Sequence, residues 1–282
     1  MATESLPEVS LSLTYYWVRH GETEANRAGI LQGQSDFPLT ESGKEGAIKT
    51  GVYLSKVAFD HLYVSDLGRA TRTAIMILDE NQVYLKRLQQ SNGNNDSSVQ
   101  LKKVPLIREK YYGVKENMPR DCSWEEAAER AAKQRGITIE EALQDNEEPL
   151  ELLLKRTQEF LELCKYDVMK SIGESEDIIT GPRIERNILC VSHSGFISNF
   201  LRSLSHFGNQ NREMSYEGKL HNCSCHCVRL EYVTPSQKPA IFIDNSLVNL
   251  HEHLTHTEQD RQLWPVLDPD IVQNSLSTVV EK

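Results

Sequence analysis

The sequence has no apolar run long enough to span a bilayer, which takes about 20 consecutive apolar residues. Residues Met1 to Ser12 carry no basic segment followed by an apolar block, so they do not read as a secretory leader and are expected to form a loose tail. Positive charge is in deficit: 31 Lys and Arg face 41 Asp and Glu, a formal net charge of -10. That balance argues against nucleic acid as a general partner and gives the molecule a field that repels anions. An anionic ligand therefore needs a local basic pocket. The six cysteines, without a leader, read as reduced thiols of the cytosol or nucleus. No internal repeat is visible. No carboxylate cluster offers a hard-cation site, so neither metal nor other cofactor is expected. Cys223, Cys225 and Cys227, flanked by His221 and His226, lack the two-to-four-residue separation of common zinc ligands. Alternate residues of a strand share one face, and the run reads as three small buried side chains.

What is present is a composition for a packed core, 39% hydrophobic and 26% charged over 282 residues. Leu13 to Val18 is aromatic and β-branched, the pattern of a buried strand, and it stops abruptly at Arg19-His20-Gly21. Glycine after a polar pair lets the backbone turn and approach a ligand. In open α/β sheets ligands bind at that end of a strand. A neutral imidazole there can attack phosphorus, and a guanidinium can hold phosphoryl oxygens in a planar fork.

Arg19-His20-Gly21-Glu22-Thr23 followed by Asn26 resembles the signature of the histidine phosphatase, or phosphoglycerate mutase-like, superfamily. Ser65-Asp66-Leu67-Gly68-Arg69, Arg108 to Gly113 and Val191-Ser192-His193-Ser194-Gly195 match that family in the expected order. The resemblance implies a phosphohistidine intermediate on His20, with Arg19, Arg69 and His193 around the phosphoryl group. Glu109 is the candidate acid for the leaving oxygen and base for water. Asn26, Thr23, Gln32, Gly33 and Tyr112 match family positions that contact phosphate or the rest of the substrate. Ser194 adds a hydroxyl where glycine often follows the histidine. Within the family the chain most resembles fructose-2,6-bisphosphatase-type members, which implies a small phosphorylated metabolite such as fructose 2,6-bisphosphate or 2,3-bisphosphoglycerate. The paired arginines of mutases are not evident after Tyr112, where only Lys115 and Arg120 appear before Asp121. That favours hydrolysis. A mutase-type phosphotransferase and a catalytically silent adaptor are the alternatives.

The remaining elements are expected as follows. A helix capped by Thr40 runs to about Leu54, and a short strand spans His61 to Ser65. Ser65 or Asp66 caps a helix from Gly68 to Asp79, with Arg69 in its first turn. Gly29 to Gln34 offers backbone amides to a phosphate. Gln89 to Gln100 reads as a loop, Val104 to Ile107 as a strand, and Asp121 to Gln144 as helical, with a capping box at Ser123. Leu150, Leu153, Leu154, Thr157, Phe160, Leu161, Cys164 and Val168 share one helical face. After a loop over Ser171 to Arg186, a strand at Asn187 to Val191 leads into a helix ending near Leu204. Asn222 to Tyr232 and Ala240 to Leu250 read as strands joined at Thr234-Pro235-Ser236. The expected fold is α/β, a mainly parallel sheet covered by helices on both faces. It forms a single domain over 13-256, with a helical cap inserted at about 114-186 and a tail or peripheral segment over 257-282.

Overall fold

The computed structural model describes residues 11–90, 100–172, 184–207, 220–232, 240–242, 251–255, 261 and 265–269. Six strands form one sheet in the order β3-β2-β4-β1-β5-β6. They are β1 (Leu11–Arg19), β2 (His61–Val64), β3 (Leu101–Lys103), β4 (Ile184–Ser192), β5 (Cys225–Tyr232) and β6 (Ala240–Phe242). β1 pairs parallel with β4, and β2 parallel with both β3 and β4. β5 runs antiparallel to β1 and β6, so the sheet is the mainly parallel one expected, with an antiparallel edge.

β1 lies at the centre, and every one of its 9 residues is buried. Its alternation divides the core in two. Leu13, Tyr15 and Trp17 pack with α7 (Leu150–Ile172) and α8 (Ser194–Phe207), whereas Tyr16 and Val18 pack with α3 (Gly68–Glu80) and the end of α2 (Glu41–Tyr53). Trp17 is the hub of the first layer, with ring centroids 5.5, 5.7 and 4.7 Å from Phe160, Phe196 and Phe200. Truncating a buried tryptophan to alanine costs about 3–5 kcal/mol.

Several local expectations change. α3 begins after Leu67, which makes no side-chain capping bond, and neither Ser65 nor Asp66 caps it. The cap comes from a distant loop: Asp36 accepts from Gly68 N at 2.7 Å and Arg69 N at 3.1 Å. Its negative charge suits the positive end of the helix. The strand expected at Val104 to Ile107 lies earlier, as β3, and Pro105–Ile107 is a 3₁₀ turn. Pro105 lacks the N–H that a ladder needs. A helix not anticipated, α4 (Gln82–Gln90), takes up Gln89 and Gln90 of the expected loop. Leu150 is 54% exposed and leaves the apolar face of α7.

Ser123 caps α5 (Trp124–Arg135) through the expected box, and α6 (Ile139–Leu143) follows. These two helices have their own small cluster, including Val114, Met118, Ala128 and Ala131. α7, from the same inserted stretch, instead joins the sheet core. The turn at Thr234-Pro235-Ser236, most of the expected loops over Gln89 to Gln100 and Ser171 to Arg186, and most of the expected final strand lie outside the described residues. Among the described residues no helix is long and apolar enough to cross a membrane.

Candidate active site

The parallel register of β1 and β4 sets Arg19 opposite Ser192. The residues that follow, His20 and His193, therefore meet beyond the sheet, with ring centroids 5.1 Å apart. His20 N donates to Ser192 O at 2.9 Å, and Gly21 N donates to Thr73 Oγ1 of α3 at 2.9 Å. A Cβ on Gly21 would lie 2.5 Å from Gly43 O, so this turn against α2 requires glycine.

His20 Nδ1 lies 2.8 Å from Gly21 O. A carbonyl only accepts, so Nδ1 carries the hydrogen and Nε2 keeps its lone pair. Burial, then the charges of Arg69 and Arg19, hold the His20 pKa well below the ordinary histidine range. The imidazole is therefore neutral at physiological pH. His193 is held down in the same way by burial, Arg69 and His20. Its Nε2 is 2.8 Å from Ser65 Oγ, while its buried Nδ1 has no hydrogen-bond partner among the described residues.

Arg19 and Arg69 are both buried, at 6% and 0% exposure. Arg19 Nη1 donates to Leu220 O at 2.5 Å. Arg69 Nη2 donates to Gly33 O at 2.7 Å and Nη1 to Ser35 O at 2.6 Å. The Nε atoms of both, and Gln32 Oε1, are buried without a hydrogen-bond partner among the described residues. Burial, with Arg120 and Arg69 as like charges, brings the Arg19 pKa down to about 10, so it remains a cation at neutral pH. Gly33 has φ 54, the left-handed region that favours glycine.

Glu109 reaches the same place from the 3₁₀ turn. Oε1 accepts from Lys110 N at 2.8 Å and Phe196 N at 3.1 Å, and Oε2 from Gly195 N at 3.1 Å. It thus sits on the free amides at the start of α8. A Cβ on Gly195 would lie 2.2 Å from Glu109 Oε1 and 3.0 Å from Tyr112 Oη, so glycine after Ser194 admits both. Burial and Glu109 raise the Tyr112 pKa, keeping it a neutral phenol.

The other expected contacts are less free. Thr23 Oγ1 accepts from Asn26 N at 3.2 Å, and Asn26 Oδ1 takes Thr23 N at 3.3 Å, a capping box on the short α1 (Glu24–Arg27). Asn26 Oδ1 also accepts from Asn222 Nδ2 at 3.2 Å. The Gly29 to Gln34 amides are largely used: those of Gly29, Ile30 and Leu31 donate to Asn26, Ala25 and Met118 carbonyls, and Gln34 N to Glu116. Only Gln32 N and Gly33 N of that run have no such bond recorded among the described residues. Ser194 is half-buried at the first turn of α8.

Sequence reasoning missed Arg156. Its guanidinium donates to Leu106 O at 2.6 Å and Arg108 O at 2.8 Å, and pairs with Glu148 at 2.7 Å. It thus clamps the backbone that leads from the turn into Glu109. Apolar periodicity gives no signal for a cation beside Thr157. Asp36, which fastens the first turn of Arg69's helix, was equally silent.

Two buried cations, two imidazoles and a carboxyl thus converge just beyond the ends of β1 and β4. Residues 15–238 match the model of the histidine phosphatase superfamily (branch 1), and the chain belongs to that family. It is 30% identical over 203 residues to fructose-2,6-bisphosphatase TIGAR B of Danio rerio, covering 66% of this chain and 72% of that one. Fructose-2,6-bisphosphatase TIGAR of Xenopus tropicalis is 25% identical, covering 88% of this chain and 97% of its own. Among solved structures, phosphoglycerate mutase from Bacillus anthracis superimposes with a TM-score of 0.60 at 22% identity, over 87% of this chain and 96% of that one.

Proposed function

We propose that the protein hydrolyses phosphate monoesters of sugars or glycerates in two steps through His20. The observation that carries this reading is the His20 tautomer: Nδ1 spent on Gly21 O, with Nε2 unprotonated between two buried cations. In the first step Nε2 attacks phosphorus in line. Arg19, Arg69 and His193 Nδ1–H neutralise the equatorial oxygens as the ester bond breaks. Ser65 fixes His193 as that donor by giving its hydroxyl hydrogen to Nε2. The leaving oxygen takes a proton from Glu109. In the second step water attacks the phosphohistidine, Glu109 recovers the proton, and phosphate departs. Among the described residues Glu109 Oε2 accepts a single amide, which leaves it a lone pair for that proton. Thr23 and Asn26 shape the loop after His20, while Gln32, Gly33, Tyr112 and Ser194 face the rest of the substrate.

Two features favour a bisphosphate. The relatives named fructose-2,6-bisphosphatases are one. The other is Arg120, an exposed cation whose charge is felt at Arg19 and at Tyr112, which offers a partner for a second anionic group. The preferred substrates are fructose 2,6-bisphosphate and 2,3-bisphosphoglycerate, and their hydrolysis makes the protein a regulator of glycolytic flux in the cytoplasm. Charge is handled by side chains, so turnover is expected to persist in EDTA.

The test is a substrate panel read by phosphate release, with labelled substrate quenched without acid. Label on His20 as a base-stable, acid-labile phosphoramidate is the expected result. Label on a serine, or near-normal turnover by His20→Ala, would sink the mechanism. Transfer to an acceptor without phosphate release would make it a mutase, and no turnover on any ester an adaptor.

A further inference from the structure

A cavity of about 390 Å³, apart from the His20 site, opens between the Ser35 loop and α5, lined among others by Ser35, Tyr111, Glu116, Asn117, Met118 and Arg130. None of Arg19, His20, Arg69, Glu109 or His193 lines it. The volume suits a small metabolite. Met118, Ala127 and Ala131 supply apolar wall, and polar groups surround it. Two of those groups are already committed: Tyr111 Oη donates to Asp145 at 2.7 Å, and Arg135 pairs with the same carboxylate at 2.8 Å. Arg130 is not. It is exposed, and its one hydrogen bond recorded among the described residues goes to Met118 Sδ at 3.2 Å. A thioether is a weak acceptor, so the guanidinium fork remains available to an oxyanion.

The cavity also touches the strap that holds Arg69. Glu116 accepts from Gln34 N at 2.8 Å, Ser35 Oγ at 3.3 Å and Tyr112 N at 3.3 Å. A Cβ on Gly33 would lie 1.9 Å from Glu116 Oε1, so the loop and the carboxylate are in tight contact. Gly33 O and Ser35 O are the acceptors for the Arg69 guanidinium. A molecule seated against Ser35 and Glu116 therefore bears on the cation of the first site.

We infer that this cavity is a second binding site for a small hydroxylated anion, anchored by Arg130 and coupled to the His20 site through Glu116 and the Gly33 to Ser35 strap. The anion is a phosphate ester or a carboxylate, since both present planar pairs of oxygens to the fork. The inference goes beyond the hydrolase reading and does not require it.

Methyl-labelled protein provides the test, because Met118 and Ala131 report from the cavity wall. The protein is saturated with tungstate, a phosphate mimic for the His20 site, and titrated with 3-phosphoglycerate or with glycerate. Saturable shifts of the Met118 and Ala131 methyl signals are expected, and the tighter of the two probes identifies the anchoring group. Arg130→Glu should weaken the midpoint by about tenfold or more, the loss of a charge-assisted pair. Lys133→Glu, an equal charge change at an exposed position of α5 outside the lining, should leave it within about twofold. Linkage requires that the probe shift the tungstate midpoint by the factor by which tungstate shifts the probe's. Shifts that vanish when tungstate is bound, or equal effects of the two variants, would overturn the site. A tungstate midpoint unmoved by the probe would overturn the coupling.

Discussion

Two buried imidazoles lie within a few residues of each other in the sheet register, and they have opposite characters. Trp17, three residues before His20, is paired with His226 on β5. Burial lowers the pKa of both, that of His226 to about 3 with His251 as the second cause. Around His226 the polar contact is mutually satisfied: Ser224 Oγ lies 3.1 Å from its Nε2 and also donates to His221 O. The thiols beside it are equally quiet, with burial pushing Cys223 up to about 12 and raising Cys227. Around His20, two buried guanidinium groups and a second imidazole converge with polar atoms left unmatched among the described residues. Burial alone makes a neutral histidine. Convergent cations and unmet hydrogen bonds make one placed to meet an anion.

The sharpest way to break this contrast is to remove each ring in turn. His20→Asn should cut kcat by about a thousandfold or more, since it deletes the proposed nucleophile. His226→Asn should leave kcat within about threefold and lower unfolding stability by roughly 1–3 kcal/mol, the usual result of disturbing a buried polar contact. Paired turnover and denaturant measurements decide it, and a large kcat loss in the His226 variant would dissolve the distinction.

Glu109→Gln keeps the shape and removes the transferable proton. Alkyl phosphates should slow by about 10²–10⁴-fold, whereas p-nitrophenyl phosphate, with its better leaving group, should slow far less. Equal losses on both would exclude Glu109 as the acid. Arg156→Gln acts one step further out. Its pair with Glu148 is largely enclosed, with side-chain exposures of 13% and 12%, so breaking it should cost roughly 3 kcal/mol of stability. If the residue positions Glu109, the remaining folded enzyme should lose kcat on alkyl esters more than on aryl ones, a pattern that simple destabilisation does not produce.

The smallest effect sharpens the contrast through pH. His20, His193 and His226 all have folded pKa values below the unfolded value of about 6.5. Below that pH the unfolded chain binds the extra protons, so stability falls as pH drops. Each ring that stays neutral should contribute a loss of roughly 1 kcal/mol between neutrality and pH 5.5. His226→Asn should flatten this slope by one proton. An unchanged slope would mean that His226 is not buried neutral.

The candidate site was legible in the chain because it sits in short, contiguous motifs. Arg19-His20-Gly21, Glu109 and His193-Ser194-Gly195 each follow a strand or the turn after one, and local pattern marks such ends. The cysteine run shows where local pattern stops. Cys225 and Cys227 share a face of β5 as alternation requires. Cys223 does not, because φ 62 turns it out of the strand and against Gly43 and Gly46 of α2.

By itself the sequence determined the family and the α/β class and singled out the side chains proposed to react, since each of these follows from residue type and near-neighbour spacing. Tertiary structure decided which groups remain available to react. Thr23 is engaged by Asn26, most of the Gly29 to Gln34 amides by carbonyls and Glu116, and the start of α3 by Asp36. Those partners are set by contacts distant in sequence or by the path of a loop, and no composition or period encodes them. The meeting of His20 with His193 is the same kind of fact. It arises because β1 and β4 pair in one parallel register, and a slip of one residue would send the two side chains to opposite faces.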